Sequence, residues 1–252
     1  MSKLTATIEA LPTMAELGLK QAGVRGELKL MRLGDFKFVI RPGTTDEKVI
    51  PEVLLRREYF RHIPAVEPGE IWLDLGANIG ASSVATASVG AIVRSYEPEP
   101  ENFTMLRANI LLNRLSKNVE AFNYAVGAKE GTASLYRCRS PKNRYRHTLI
   151  PRPIWDSINV PVRNFWDQLD GVTGVKMDIE GSELEIFDKA KNWKRVRKLV
   201  FEYHFDSDRL LSNFYRRMDT LGKTFTNVQY RKMLAGPTWD NFPFALVGSC
   251  WR

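Results

Sequence analysis

The sequence predicts an α/β protein: a mostly parallel central sheet, helices on both faces, and a mixed α+β extension at the N-terminus. Three observations carry this. Short apolar runs recur at 71–75, 91–96, 119–124, 174–179 and 199–203. Helical patterns separate most of them, at 79–89, at 100–113 with Phe103, Leu106, Ile110 and Leu111 on a helical spacing, through Leu184, Ile186 and Phe187, and at 208–221. A closing strand pair follows at 225–230 and 244–247.

The N-terminal elements are of a different kind. Leu28-Lys29-Leu30-Met31 and Phe36-Lys37-Phe38-Val39-Ile40 flank Leu33-Gly34-Asp35, a hairpin turn. Thr44-Thr45-Asp46 offers a cap for a helix over 49–59. Glu67-Pro68-Gly69 then marks a boundary, so residues 1–68 are expected to pack as an extension on a catalytic domain of residues 69–252.

Composition narrows the classes. With 44% hydrophobic and 26% charged residues over 252 positions, the chain is neither disordered nor collagen-like and can bury a sizeable core. Two isolated cysteines exclude a disulfide framework and a zinc finger, and three histidines argue against a multi-histidine metal centre. No apolar run approaches the roughly 18 residues a membrane span needs, and the first residues lack a signal-peptide core, so a cytoplasmic protein is expected. A net charge of +8 suits polyanionic partners or serves solubility alone.

Ligands of such sheets bind beyond the carboxyl ends of the strands, and the chemistry-bearing residues gather there. Asp74-Leu75-Gly76-Ala77-Asn78-Ile79-Gly80 closes the first strand. Asn78 stands where a dinucleotide fingerprint needs its second glycine, so the turn suits a nucleoside ligand without phosphates, such as S-adenosylmethionine (SAM), better than NAD. Glu97, in Tyr96-Glu97-Pro98 after the second strand, can accept both ribose hydroxyls, whereas Glu99 reads as a helix-start carboxylate. Asn123, Tyr124 and Ala125 end the third strand where an adenine would lie. Lys176-Met177-Asp178-Ile179-Glu180-Gly181 and Glu202-Tyr203-His204 bring more acids and a histidine to the same rim, although Glu180 or Ser182 also reads as a helix cap.

Taken in order, these segments, together with Arg41-Pro42-Gly43-Thr44-Thr45-Asp46 and Glu58-Tyr59 upstream, resemble the FkbM family of SAM-dependent methyltransferases over about residues 38–205. The resemblance implies a Rossmann-like class I methyltransferase fold with an antiparallel C-terminal hairpin, SAM as cofactor, and O-methylation of a sugar, glycan or similar hydroxylated acceptor. Cofactor contacts are then expected from Asp74, Gly76, Asn78, Gly80, Glu97, Pro98, Asn123, Tyr124, Ala125 and Asp178. For catalysis, Asp178 or His204 is the expected base and Glu180 its orienter, with Lys176 either a paired structural lysine or an oxyanion stabiliser. No metal site is assigned: Asp178, Glu180 and Glu202 offer oxygens for Mg²⁺, but no further ligand is evident. The basic segment 137–147 reads as a solvated loop or as a clamp for an acidic or phosphorylated acceptor, and 191–198 as a solvated helix end. Two alternatives stand beside this reading: an RNA ribose 2′-O-methyltransferase, suggested by the charge, and a non-catalytic nucleotide- or glycan-binding module on the same scaffold.

Overall fold

A computed structural model describes residues 5–57, 59–138, 147–189, 193, 195–205, 211–232 and 245–252. The chain opens with β1 (Thr7–Ala10), α1 (Thr13–Gln21), the hairpin β2 (Lys29–Leu33) and β3 (Phe36–Ile40), and α2 (Asp46–Leu54). The central unit follows as β4 (Ile71–Leu75), α3 (Ala81–Ala87), β5 (Ile92–Tyr96), α4 (Pro100–Leu112) and β6 (Val119–Phe122). After an inserted stretch of β7 (Ala125–Gly127), β8 (Gly131–Arg137) and β9 (Asp156–Asn164), it resumes with β10 (Gly174–Met177), α5 (Glu183–Asp188), β11 (Lys198–His204), α6 (Leu211–Gly222), β12 (Asn227–Lys232) and β13 (Ala245–Trp251).

The seven-stranded sheet has the order β12-β13-β11-β10-β4-β5-β6. Its strands from β6 to β11 pair in parallel, and β13 runs antiparallel between β11 and β12, as the expected C-terminal hairpin requires. This is the class I methyltransferase arrangement. The order reverses between β4 and β10, and the crevice between their carboxyl ends is where this topology puts a ligand. Among the described residues, no helix is long and apolar enough to cross a membrane.

Each sheet face carries its own apolar cluster. One holds Leu73, Val175, Phe187, Trp193, Phe201 and Phe225, all buried. The other joins Phe38, Ile40 and Ile50 of the N-terminal elements to Trp72, Val84 and Leu106 of the central unit. α3 lies wholly inside this layer, and its alanines and serines leave room for α2 and α4 to close over it.

Three differences from the sequence reading have physical causes. The helix expected over 49–59 runs from Asp46 to Leu54 and stops before Arg57, whose φ of +50° is left-handed. The stretch after the third strand contains β8 and β9, which form a separate three-stranded sheet with β7. In the second basic run, Lys198 is buried at the start of β11, its Nζ 2.7 Å from Glu70 Oε1. It is the paired cation of a buried acid rather than a solvated helix end. Of the basic segment 137–147, residues 139–146 lie outside the described residues; Arg137 in β8 lies 3.8 Å from Asp156.

Candidate active site

A cleft of about 1290 Å³, part of it open to solvent, occupies the reversal point. The loops after β4, β5 and β10 form its floor, and Val49, Glu52 and Val53 of α2 one wall. The turn after β4 fits because of its glycines. Gly76 has φ +73°, and a Cβ there would sit 1.8 Å from the Asp178 carbonyl oxygen. Gly80 has φ +95° and starts α3; a Cβ on it would meet Leu106 Cδ1 at 2.7 Å. Asn78, with φ +52°, takes the same left-handed conformation without being glycine, a strain that clusters at functional sites.

The acids divide into those facing the cleft and those behind it. Asp74 is buried and does not line the cleft. Its Oδ2 accepts from Ser82 and Ser83 and its Oδ1 lies 3.3 Å from Lys176 Nζ, so it pins α3 and β10 to β4. Gly80 also sits behind the wall. Glu97 lines the cleft while only 5% exposed. Its Oε2 accepts the Asn78 amide at 2.8 Å and its Oε1 the Glu99 amide at 2.9 Å. Each oxygen keeps a second acceptor position. Burial pushes this carboxyl up to about 7 despite the two amides. Glu99 caps α4 by accepting from the Asn102 amide. Pro98, Tyr124 and Ala125 line the cleft, with the Arg163 guanidinium 4.6 Å from the centre of the Tyr124 ring. Asn123 is not among the residues that line the cleft: its Nδ2 donates to the carbonyls of Glu97 and Pro98 and holds the loop that carries Glu97.

Lys176, Asp178, Glu180 and Glu202 line the same cleft. Lys176 Nζ donates to Gly76 O at 2.8 Å and faces Asp74 and Asp178 at 3.3 and 3.8 Å. Burial disfavours this ammonium, but Asp74, Asp178 and Glu202 outweigh it and hold it above the ordinary lysine range. Its ammonium is therefore paired, although it also lines the cleft. Tyr59 lies between two acids, its hydroxyl 3.0 Å from Asp178 Oδ2 and 2.8 Å from Glu202 Oε1. Burial and the Asp178 charge raise the Glu202 carboxyl to about 8.

His204 is buried at the end of β11 and is not itself a cleft residue. Fully buried Glu183 orients it, accepting the His204 backbone amide at 2.8 Å and facing Nδ1 at 2.9 Å; its other oxygen takes the Gly181 amide. Nε2 then faces Glu180 at 3.5 Å, Glu202 at 3.7 Å and Asp178 at 4.0 Å. Burial opposes a charge on the ring, but Glu180, Glu183 and Asp178 outweigh it and raise the imidazole well above its ordinary value. Ser182 occupies the N-cap position of α5 without a side-chain capping bond, and Glu180, with φ +51°, lies two residues before it. Tyr59 and Glu183 were not among the expected site residues, although both lie in segments the sequence singles out.

The cleft fits SAM. It offers an oriented carboxylate for a ribose, a glycine turn close under the ligand space, an apolar wall at Ala125 and Val126, and a buried Asn78 Oδ1 with no hydrogen-bond partner. Fold and site together define a class I, SAM-dependent methyltransferase. The model for the methyltransferase FkbM domain matches residues 74–231, and the chain belongs to that family. It is 35% identical over 188 residues to the 31-O-demethyl-FK506 methyltransferase FkbM of Streptomyces tacrolimicus, covering 61% of this chain and 72% of that one. It is 28% identical over 99 residues to a tRNA (guanine(37)-N(1))-methyltransferase of Phytophthora infestans, covering 39% of this chain and 23% of the relative. Among solved structures, M. jannaschii TYW2 in complex with AdoMet superposes with a TM-score of 0.48 at 14% identity, covering 90% and 87% of the two chains.

Proposed function

We propose that the chain transfers a methyl group from SAM to a hydroxyl oxygen of a sugar, glycan or similar hydroxylated acceptor. The observation that carries this reading is the group of Asp178, Glu180 and Glu202 lining the same cleft as Glu97. A hydroxyl is a poor nucleophile until its proton has somewhere to go, and clustered carboxylates provide that. The O-methylation named for the Streptomyces tacrolimicus relative supports the same choice of acceptor atom.

The roles follow from the geometry. Glu97, fixed by the amides of Asn78 and Glu99, takes the ribose hydroxyls, while Ala125 and Val126 flank the base. When bound, SAM supplies an electrophilic methyl group on a sulfonium. Asp178 receives the acceptor's proton: it lines the cleft, and its Oδ1 is buried without a hydrogen-bond partner. His204 is set behind it with both ring nitrogens facing carboxylates, which makes it a positioning residue. Lys176, committed to Gly76 and Asp74, holds the β4 turn against β10.

A mass-shift screen with labelled SAM against nucleotide sugars, oligosaccharides and capped RNA tests the proposal, preceded by calorimetry with SAM alone. Methylated hydroxyls on the saccharides are expected. A protein with no affinity for SAM would end the reading. Methylation confined to capped RNA would move the acceptor to a ribose 2′-hydroxyl, the second reading, which the net charge of +8 favours and which would show steep salt dependence. Asp178→Asn is expected to lower kcat by ~10²–10⁴-fold with SAM affinity retained. Unchanged turnover would remove Asp178 as the base.

A further inference from the structure

We infer that Asp178, Glu180, Glu202 and His204 form a binding site for one hard divalent cation, with Mg²⁺ or Mn²⁺ as its chemical class. Among the described residues, ligand atoms of Asp178, Glu180 and His204 lie within 4.8 Å of one another. The sequence alone offers three carboxylates without a further ligand; the fold adds the imidazole.

The arrangement has the features of a built coordination sphere. The His204 side chain is only 8% exposed, and its Nε2 makes no hydrogen bond to the described residues while facing three carboxylates. Asp178 Oδ1 is buried and also without a hydrogen-bond partner. The other atom of each of three groups is tied down. Tyr59 holds Asp178 Oδ2 and Glu202 Oε1, and Glu183 holds His204 Nδ1. A carboxylate on the remote nitrogen of a ligating histidine is the usual outer support of a metal site. Adjacent ligands about 2.1–2.4 Å from an ion lie roughly 3.0–3.5 Å apart. The donors here surround Nε2 at 3.5 to 4.0 Å, so small side-chain shifts would close them on an ion.

One imidazole and three carboxylate oxygens, with no thiolate, select a hard ion over copper or zinc–thiolate chemistry. Asp178, Glu180 and Glu202 line the cleft, so open coordination positions face the space for the acceptor. There the ion would bind the hydroxyl oxygen and lower the cost of passing its proton to Asp178, whose carboxylate keeps lone pairs beyond those facing the ion and Tyr59. This use of the ion rests on the O-methyltransfer reading; its binding does not.

The test is a titration of the purified full chain with MnCl₂ alone, followed by electron paramagnetic resonance. One Mn²⁺ per chain is expected, with loss of the free-ion signal and a nitrogen coupling from a single imidazole in pulsed spectra. His204→Gln should abolish the coupling. Glu180→Gln should weaken binding at least tenfold, while Glu130→Gln at an exposed position should leave it intact. The wild-type nitrogen coupling needs no variant, so a poorly folded substitution does not decide the matter. Absence of bound Mn²⁺ at millimolar concentration, or binding without nitrogen coupling, would overturn the inference. Mn²⁺ bound as expected, with no hydroxyl methylated in the acceptor screen, would instead leave the cation site standing and remove the proposed reaction.

Discussion

Glu97, proposed to take the ribose hydroxyls, is held in an uncommon state for a carboxylate. Burial brings it to about 7, although two backbone amides stabilise its anion. Ribose hydroxyls donate to the ionised form, so below that value binding must first remove a proton. The sign is therefore fixed: SAM affinity should fall as pH drops from about 8 to about 6, by at most tenfold per unit, and binding at the lower pH should release a proton to the buffer. Glu97→Gln loses hydrogen bonds to a charged acceptor, worth about 1.5–3 kcal/mol, and should bind SAM roughly tenfold to a hundredfold more weakly at pH 8. It should also lose its share of the pH slope. Calorimetry on both proteins in buffers of different ionisation enthalpy isolates Glu97 from the ligand's own titration. Parallel pH profiles would show that Glu97 does not take the ribose.

Among the elements, β3 shows how the N-terminal hairpin is fastened. Among the described residues its outer edge has no strand beside it, since β3 pairs there only with β2 in the sheet β1-β2-β3. Two asparagines one helical turn apart, Asn109 in α4 and Asn113 at its C-cap, take that place. Asn109 accepts from the Val39 amide at 2.6 Å and donates to the Val39 and Ile79 carbonyls. Asn113 does the same for the amide and carbonyl of Lys37. Each side-chain amide imitates a paired backbone, and the spacing of two along β3 matches the spacing of four along α4. Removing Asn109 leaves buried backbone groups unsatisfied. Asn109→Ala should therefore cost about 1–3 kcal/mol of stability in urea unfolding, and Asn113→Ala, at the half-buried end, less. A larger loss at Asn113 would contradict the latch.

Such pairings mark where the sequence stopped being legible. Strand and helix periodicity gave the central sheet, because buried parallel strands read as apolar runs. β8 and β9 escaped because they are exposed on one side, and their signal is the alternation of Ile158, Val160 and Val162 around Pro161. At the site, residue type and strand-end placement were enough to pick out Glu97, Asp178, Glu180 and Glu202 as acids that line the cleft. They were not enough to tell Asp74, turned back toward Ser82 and Ser83, from acids that face the cleft. Nor could they bring Tyr59 to Asp178 across 119 positions of chain, because that contact depends on how α2 docks.

For the whole molecule, docking of α2 decides whether the chain unfolds as one body or two. The boundary at Glu67-Pro68-Gly69 predicts an extension that could separate, but the contacts crossing it are of the interior kind. Ile50, Tyr59 and Phe60 share an apolar cluster with Trp72, Ile79 and Val84. Buried Arg41 makes a two-pronged pair with Asp46 and also donates to Asn102 of α4. Thr45, Val49 and Val53 form part of the cleft wall, so the ligand space is incomplete without residues before position 68. Loss of the N-terminal elements would uncover the apolar face of α3 and free two acids from Tyr59, which ties their stability to that of the central sheet. Scanning calorimetry should accordingly show a single cooperative transition for the full chain, and SAM, by binding only the folded form, should raise the midpoint of that whole transition. Two resolved transitions, with only the later one moved by SAM, would mean that the cleft forms without α2 and that the N-terminal residues are an appended unit.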